Sequence, residues 1–169
     1  MDTIEAILTR RSVRSFTAEP VSPEIVQELL RAAMQAPSAG NQQPWQLVVL
    51  DERALLEQVA AAQPYAPMAA HAPLAIVVCG DTRLERHTGY WVQDCSAAVQ
   101  NLLLAAHARG LGAVWTAVYP RAERVRAFQD LLHLPPEVIP LAMVVLGHPS
   151  QTVPPADRFL PDRVHHNRW

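Results

Sequence analysis

The chain is short of charge. Only 18% of its 169 residues are charged, against about 25% in an ordinary globular domain. Half of it is apolar, which excludes intrinsic disorder for most of its length. It also lacks any apolar run near the ~20 residues that span a bilayer. The longest runs are Ala72–Cys79 and Val138–Leu146, and Pro140 interrupts the second. A basic excess is missing too: net charge is −2 and the pI about 6.4, which argues against bulk nucleic-acid binding. The opening residues MDTIEAILTRRS hold no basic region followed by an apolar stretch, so no secretory signal is expected. There are only two cysteines, Cys79 and Cys95, too few for a disulfide framework. Reduced, buried thiols in a cytoplasmic protein are the expectation. No internal repeat or low-complexity tract occurs. A chain of this length makes about one domain. Burying so much apolar surface in so small a body is hard for a monomer, a first pointer to a subunit interface.

What is there alternates between helical and strand patterns. Asp2 and Glu5 form a helix-starting box ahead of Ile4, Ile7 and Leu8 on one face, up to Arg10. Ser22-Pro23-Glu24 is a stronger start, followed by Ile25, Leu29, Leu30, Ala33 and Met34 at helical spacing, with Pro37 as the stop. Gln46–Leu50 reads as a strand, Asp51 as the cap of a helix through Ala62, and Leu74–Cys79 as a buried strand. From Trp91 to Arg109 runs a helix apolar nearly all round, with Val92, Cys95, Val99, Leu102, Leu103 and Ala106 as its main stripe. Such a helix is enclosed by other elements, and Gly110 ends it. Ala113–Ala117 and Leu141–Leu146 are two more strands, with a helix at Arg121–Leu132 between them. The last twenty residues look extended, yet Phe159, Leu160, Val164 and Trp169 make them too apolar for a free tail.

Three segments can carry chemistry. Arg10-Arg11-Ser12-Val13-Arg14 puts three guanidiniums within five residues. Either an anion such as phosphate sits among them, or they complement a helix C-terminus without a ligand. Pro37-Ser38-Ala39-Gly40-Asn41-Gln42-Gln43-Pro44-Trp45 is either a proline-punctuated turn or a ligand loop. In the second case its open backbone and amides would read a planar heterocycle. Gly110-Leu111-Gly112-Ala113-Val114-Trp115 resembles a dinucleotide fingerprint only faintly: it lacks the third glycine, and it leaves a helix to enter a strand. Phosphate-loop, His-Glu-x-x-His and Gly-x-Ser-x-Gly motifs are absent. The seven histidines, His165 and His166 adjacent, lack ligand-like spacing, so no metal is expected. Asp94 and Glu123 are candidate acids or bases without a paired partner.

Taken together these segments resemble the FMN-dependent nitroreductase family, in a compact single-domain form. The resemblance covers essentially the whole chain. It rests on RRSVR, PSAGNQQPW, Gln93-Asp94 to Asn101, GLGAVW, Leu146-Gly147-His148-Pro149 and the terminal RVHHNRW, in that order and spacing. It implies an α+β fold: a three-layer α/β/α sandwich with a mixed, mainly antiparallel sheet, built as an intertwined homodimer. Residues 1–149 would form the FMN-binding domain, and 150–169 a C-terminal arm embracing the partner subunit. FMN would lie between subunits. Arg10, Ser12 and Arg14 would hold its phosphate and ribityl chain, with Arg11 nearby and Arg158 reaching the phosphate from the arm. Pro37, Ser38, Ala39 and Asn41 of the other copy would line the isoalloxazine. Trp115, Thr116 and Ala117 would present backbone groups to its reactive edge. The chain departs from larger members in lacking the long insertion after the central helix. Ala117-Val118 also stand where those members carry an acidic-glycine pair.

The expected activity is that of a cytoplasmic flavoprotein oxidoreductase. NAD(P)H as co-substrate would reduce the flavin, and a small-molecule acceptor such as a quinone or nitroaromatic would reoxidise it at the same place, giving ping-pong kinetics. No catalytic side chain, nucleic acid or membrane is required. The alternatives are specialised flavin chemistry on the same fold (dehalogenation or flavin destruction) and a non-catalytic flavin-binding module.

Overall fold

The computed structural model describes residues 1–169. Four strands, β1 (Trp45–Leu50), β2 (Leu74–Asp81), β3 (Gly112–Ala117) and β4 (Val138–Gly147), form one sheet in the order β1–β2–β4–β3. Each neighbouring pair is antiparallel. The parallel element of the mixed sheet is a single bridge, Ser12 to Ala113. Five helices surround it: α1 (Thr3–Thr9), α2 (Pro23–Met34), α3 (Arg53–Ala62), α4 (Trp91–Ala108) and α5 (Ala122–Leu132). β2 is buried along its whole length because both faces of the sheet are covered. Leu74, Ile76 and Val78 pack with α2 and α4, whereas Ala75, Val77 and Cys79 pack with α3 and α5. That is the period-2 alternation of a strand between two helical layers.

Local signals explain most boundaries. Asp2 accepts a hydrogen bond from Glu5 N at 2.9 Å and starts α1, and Ser22 caps α2 ahead of Pro23. α4 buries eight of its residues, but within one chain it is not enclosed all round, since Val92, Ala97, Leu104 and Ala105 stay half-buried; Gly110 at φ +76° closes it. Three expectations need correction. α3 begins at Arg53 with Glu52 in the cap position and no side-chain cap bond, so Asp51 does not cap it. Met34 is 45% exposed rather than part of the buried stripe of α2. Pro140 does not limit β4 to Leu141–Leu146; the strand starts at Val138. The register shifts there, with Val78 opposite Ala142 and Cys79 opposite Pro140, leaving Leu141 unmatched. A bulge is where a strand tolerates proline. The Leu141 carbonyl accepts instead from Val118 N and Tyr119 N at 3.0 and 3.1 Å.

Much apolar surface stays uncovered at the two chain ends. Ile4, Ile7 and Leu8 of α1 are 64%, 49% and 64% exposed. Residues 154–169 are exposed throughout, and the Trp169 side chain touches only the stacked His165 ring, 4.4 Å away between centroids. No helix is long and apolar enough to cross a membrane.

Candidate functional site

After α1 the chain runs extended along the free edge of β3. Val13 N donates to the Ala113 carbonyl at 3.0 Å, and further on Thr17 N donates to the His148 carbonyl at 2.9 Å. Extended backbone sends alternate side chains to opposite sides. The odd residues of this segment face the start of the arm. Arg11 donates from Nε to the Pro154 carbonyl (3.2 Å) and from Nη2 to the Ala156 carbonyl (2.7 Å). Val13 packs against Gly112, where an added Cβ would meet Val13 Cγ1 at 2.6 Å. Ser15 and Ser150 share a hydroxyl hydrogen bond of 2.7 Å. Ser12 and Arg14 are left on the other side, and Arg10, the cap residue at the end of α1, precedes the alternation.

Arg10, Arg11 and Arg158 line one cleft of about 520 Å³ with Ile7, Leu8 and Phe159. Burial, then the charges of Arg158 and Arg11, lowers the Arg10 pKa from its ordinary value. None of the three forms an ion pair. Arg14 lies further along the same side and opens toward Phe16, Met68 and His71. Behind the cleft, the Thr9 hydroxyl donates to the Glu5 carbonyl (2.6 Å), so its oxygen accepts from His107 Nε2 (2.8 Å). Burial and Arg10 hold His107 below the usual imidazole range; Arg11 adds to this and Glu5 opposes it.

The Pro37–Trp45 loop is a separate piece. It turns through Gly40, Asn41 and Gln43 at φ +54°, +54° and +47°. A Cβ at Gly40 would lie 2.7 Å from Nε2 of the exposed His87 ring, which would have to swing aside. Asp94 of α4 fixes the loop. Its buried carboxylate accepts from Ala39 N (2.9 Å) and Gln42 Nε2 (2.6 Å), and Gln42 Oε1 accepts from Arg86 N and His87 N. Gln42 is therefore spent inside the fold and offers no amide to a ligand, while Asn41 and Gln43 are exposed. Asp94, with both oxygens committed, is a loop anchor rather than a free acid or base. Pro37, Ser38 and Ala39 border an open hollow of about 350 Å³ with Tyr90 and Gln93.

The end of β3 is the third piece. Ala113 turns its carbonyl away from β4 to Val13, and Ala117 turns its own to Gln63 Nε2 at 2.7 Å. By alternation the N–H and C=O of Trp115 point along that same free edge. Thr116 faces the other way, buried, with its hydroxyl on the Met143 carbonyl (2.8 Å). Within one chain the arginine cleft adjoins the β3 edge, but the loop does not: it enters β1, three strand spacings from β3, or about 14 Å at roughly 4.8 Å per strand. The roles of Gln63 and of the Asp94–Gln42 anchor were not legible in the sequence, because each acts through a pairing made only by the fold. Both thiols are free and buried, and burial pushes Cys79 up to about 12.

Comparison with known proteins adds to this geometry. The model of the Nitroreductase family matches residues 7–148. A protein of Methanothermobacter thermautotrophicus named "Putative NADH dehydrogenase/NAD(P)H nitroreductase" is 47% identical over 169 residues, covering 100% of this chain and 88% of its own. The crystal structure of a protein given the same name, from Parabacteroides distasonis, superposes with a TM-score of 0.95 at 43% identity, covering 99% of this chain and 98% of that one. A structure from Desulfovibrio desulfuricans, in complex with FMN, gives a TM-score of 0.86 at 33% identity, covering 100% and 98%.

Proposed function

This chain belongs to the nitroreductase family, and we propose that it is an FMN-dependent oxidoreductase that moves a hydride from NAD(P)H to a quinone, a nitroaromatic or a similar acceptor in a ping-pong sequence. The observation that carries the reading is a cleft with unpaired guanidiniums. Arg10 and Arg158 both line it, and no carboxylate, including the Asp157 that also lines it, pairs with either. Their mutual repulsion is relieved by a dianion, and guanidinium forks match phosphate oxygens. The donor set therefore fits the cofactor's phosphate.

FMN, when bound, supplies the hydride chemistry. The chain supplies position and charge. Arg10, Ser12, Arg14 and Arg158 hold the phosphate and ribityl chain. Arg11 acts through the arm: by gripping the Pro154 and Ala156 carbonyls it sets Arg158 opposite Arg10. Trp115 and the Ala117 N–H offer edge donors and acceptors to the ring, and Thr116 locks the strand between them. The partner subunit's Pro37, Ser38, Ala39 and Asn41 line the ring, since one chain's loop lies too far from its own cleft. Residues 1–149 then form the flavin-binding domain. Residues 150–169 form an arm whose exposed Phe159, Leu160, Val164 and Trp169 pack on the partner of a homodimer. The free buried thiols suit a reducing compartment such as the cytoplasm.

The test is the visible spectrum of the purified protein, followed by NAD(P)H oxidation with menadione or nitrofurazone. The proposal expects a yellow protein with initial-rate lines that stay parallel as the second substrate varies. Bound flavin without turnover would instead indicate a binding module, and intersecting lines would contradict the shared site.

A further inference from the structure

One arginine beside the proposed flavin edge, Arg124, has no use in that reading. The chain has no lysine, so arginine supplies all fourteen Lys/Arg cations. Arg83 and Arg109 are in ion pairs with Asp81 and Glu28. Arg124 is in none, although it stands in the first turn of α5 beside the end of β3. Its guanidinium carbon lies 5.1 Å from the centroid of the Tyr65 ring, and its Nη1 is 3.4 Å from the Ala117 carbonyl. The same carbonyl accepts from Gln63 Nε2 at 2.7 Å, and Gln63 Oε1 accepts from Tyr65 N at 3.4 Å. One fully buried amide thus joins Tyr65 to the end of β3, and the Tyr65 ring, 71% exposed, carries the guanidinium outward.

A cation laid on an aromatic face and held at a backbone carbonyl has little freedom left to lose on binding. Its position separates it from the cofactor's phosphate. Ala117 is four residues from Ala113, roughly 13 Å at about 3.3 Å per residue, so Arg124 sits at the far end of the edge from the Arg10 cleft. Of the two substrates that share the ring, a quinone or nitroarene offers this cation no anionic group. A nicotinamide dinucleotide does.

We infer that the Tyr65–Arg124 pair is a specificity determinant of the reductive half-reaction, taking a phosphoryl group of NAD(P)H while the nicotinamide lies on the flavin. The inference rests on the flavin reading above. Its test is stopped-flow kinetics on the FMN-loaded protein, with each half-reaction measured separately. In Arg124→Gln the apparent Kd for the dinucleotide rises about tenfold, the loss of one charge-assisted contact. FMN content and the rate of reoxidation by menadione stay within twofold of wild type. Tyr65→Leu gives a smaller rise, and Arg124→Lys recovers part of the affinity. Equal losses for NADH and NADPH assign the diphosphate, and a loss confined to NADPH assigns the 2′-phosphate. Unchanged Kd for both dinucleotides, or reoxidation slowed in parallel, overturns the inference. A wild-type protein that takes up no FMN overturns the flavin reading itself, before either half-reaction is reached.

Discussion

Arg10 and Arg11 are neighbours that line one cleft with Arg158, yet their duties differ. Arg11 is bonded to arm carbonyls, whereas Arg10 is left with the repulsive charges of Arg158 and Arg11. Replacing Arg10 and Arg14 together by alanine removes charged hydrogen bonds worth about 1.5–3 kcal/mol each. FMN affinity, read by flavin fluorescence, should fall at least a hundredfold. His107 gives a pH signature. Its folded pKa lies below the usual imidazole value, so the folded state favours the neutral ring. Stability is then full above about pH 6.5 and declines as pH falls below it, because the unfolded chain protonates first. Thermal melting of the apoprotein across that window should show the decline, and His107→Asn should flatten it. Cys79, held near 12 by burial, should resist alkylation at pH 8 until the protein is unfolded. At this scale the arginine cluster was legible as three cations within five residues, with an anion or a helix C-terminus as the alternatives; that Arg11 is bonded to carbonyls of its own chain was not. Gln42 was not: its amide resembles that of Asn41 in sequence, and only the buried Asp94 beside it shows that it is already engaged.

The elements that shape the site are a loop and an edge strand, and each depends on one tight contact. Asp94 holds the Pro37–Trp45 loop through Ala39 N and Gln42 Nε2. Asp94→Ala leaves the buried Gln42 amide unsatisfied, at about 1–3 kcal/mol, and urea denaturation should show a loss of that size with weaker flavin binding. Gly112 lets the arginine segment approach β3. Gly112→Ala sets a Cβ 2.8 Å from Val13 Cβ, overpacking that typically costs about 1–3 kcal/mol, and should lower Tm and FMN affinity together. Helices with capped starts and strands with closed apolar runs were legible. The start of α3 was misread because Asp51 has the right side chain but the helix begins after Glu52 without any cap bond. The extent of β4 was misread because a bulge, which periodicity does not register, accommodates Pro140.

On the scale of the whole molecule, the proposed flavin site falls into two incomplete pieces within one chain. The arginine cleft and β3 edge lie together, the loop lies across the sheet, and the apolar faces of α1 and the arm are uncovered. The surplus of apolar residues was legible from composition, but which surfaces they leave bare depends on the sheet order. In the proposed homodimer a second copy would account for all of these features by bringing its loop to the first copy's cleft. The most direct measurement is flavin stoichiometry in a mixed dimer of two differently tagged chains. One carries Arg10→Ala with Arg14→Ala; the other carries Gly40→Val, a β-branched residue that the positive φ strongly disfavours. Neither variant alone should retain FMN. The purified mixed dimer should bind one FMN per two chains, because it contains one site built from the intact cleft of the second chain and the intact loop of the first. A mixed dimer that binds none, or a monomer that binds FMN fully, would contradict a site shared between copies.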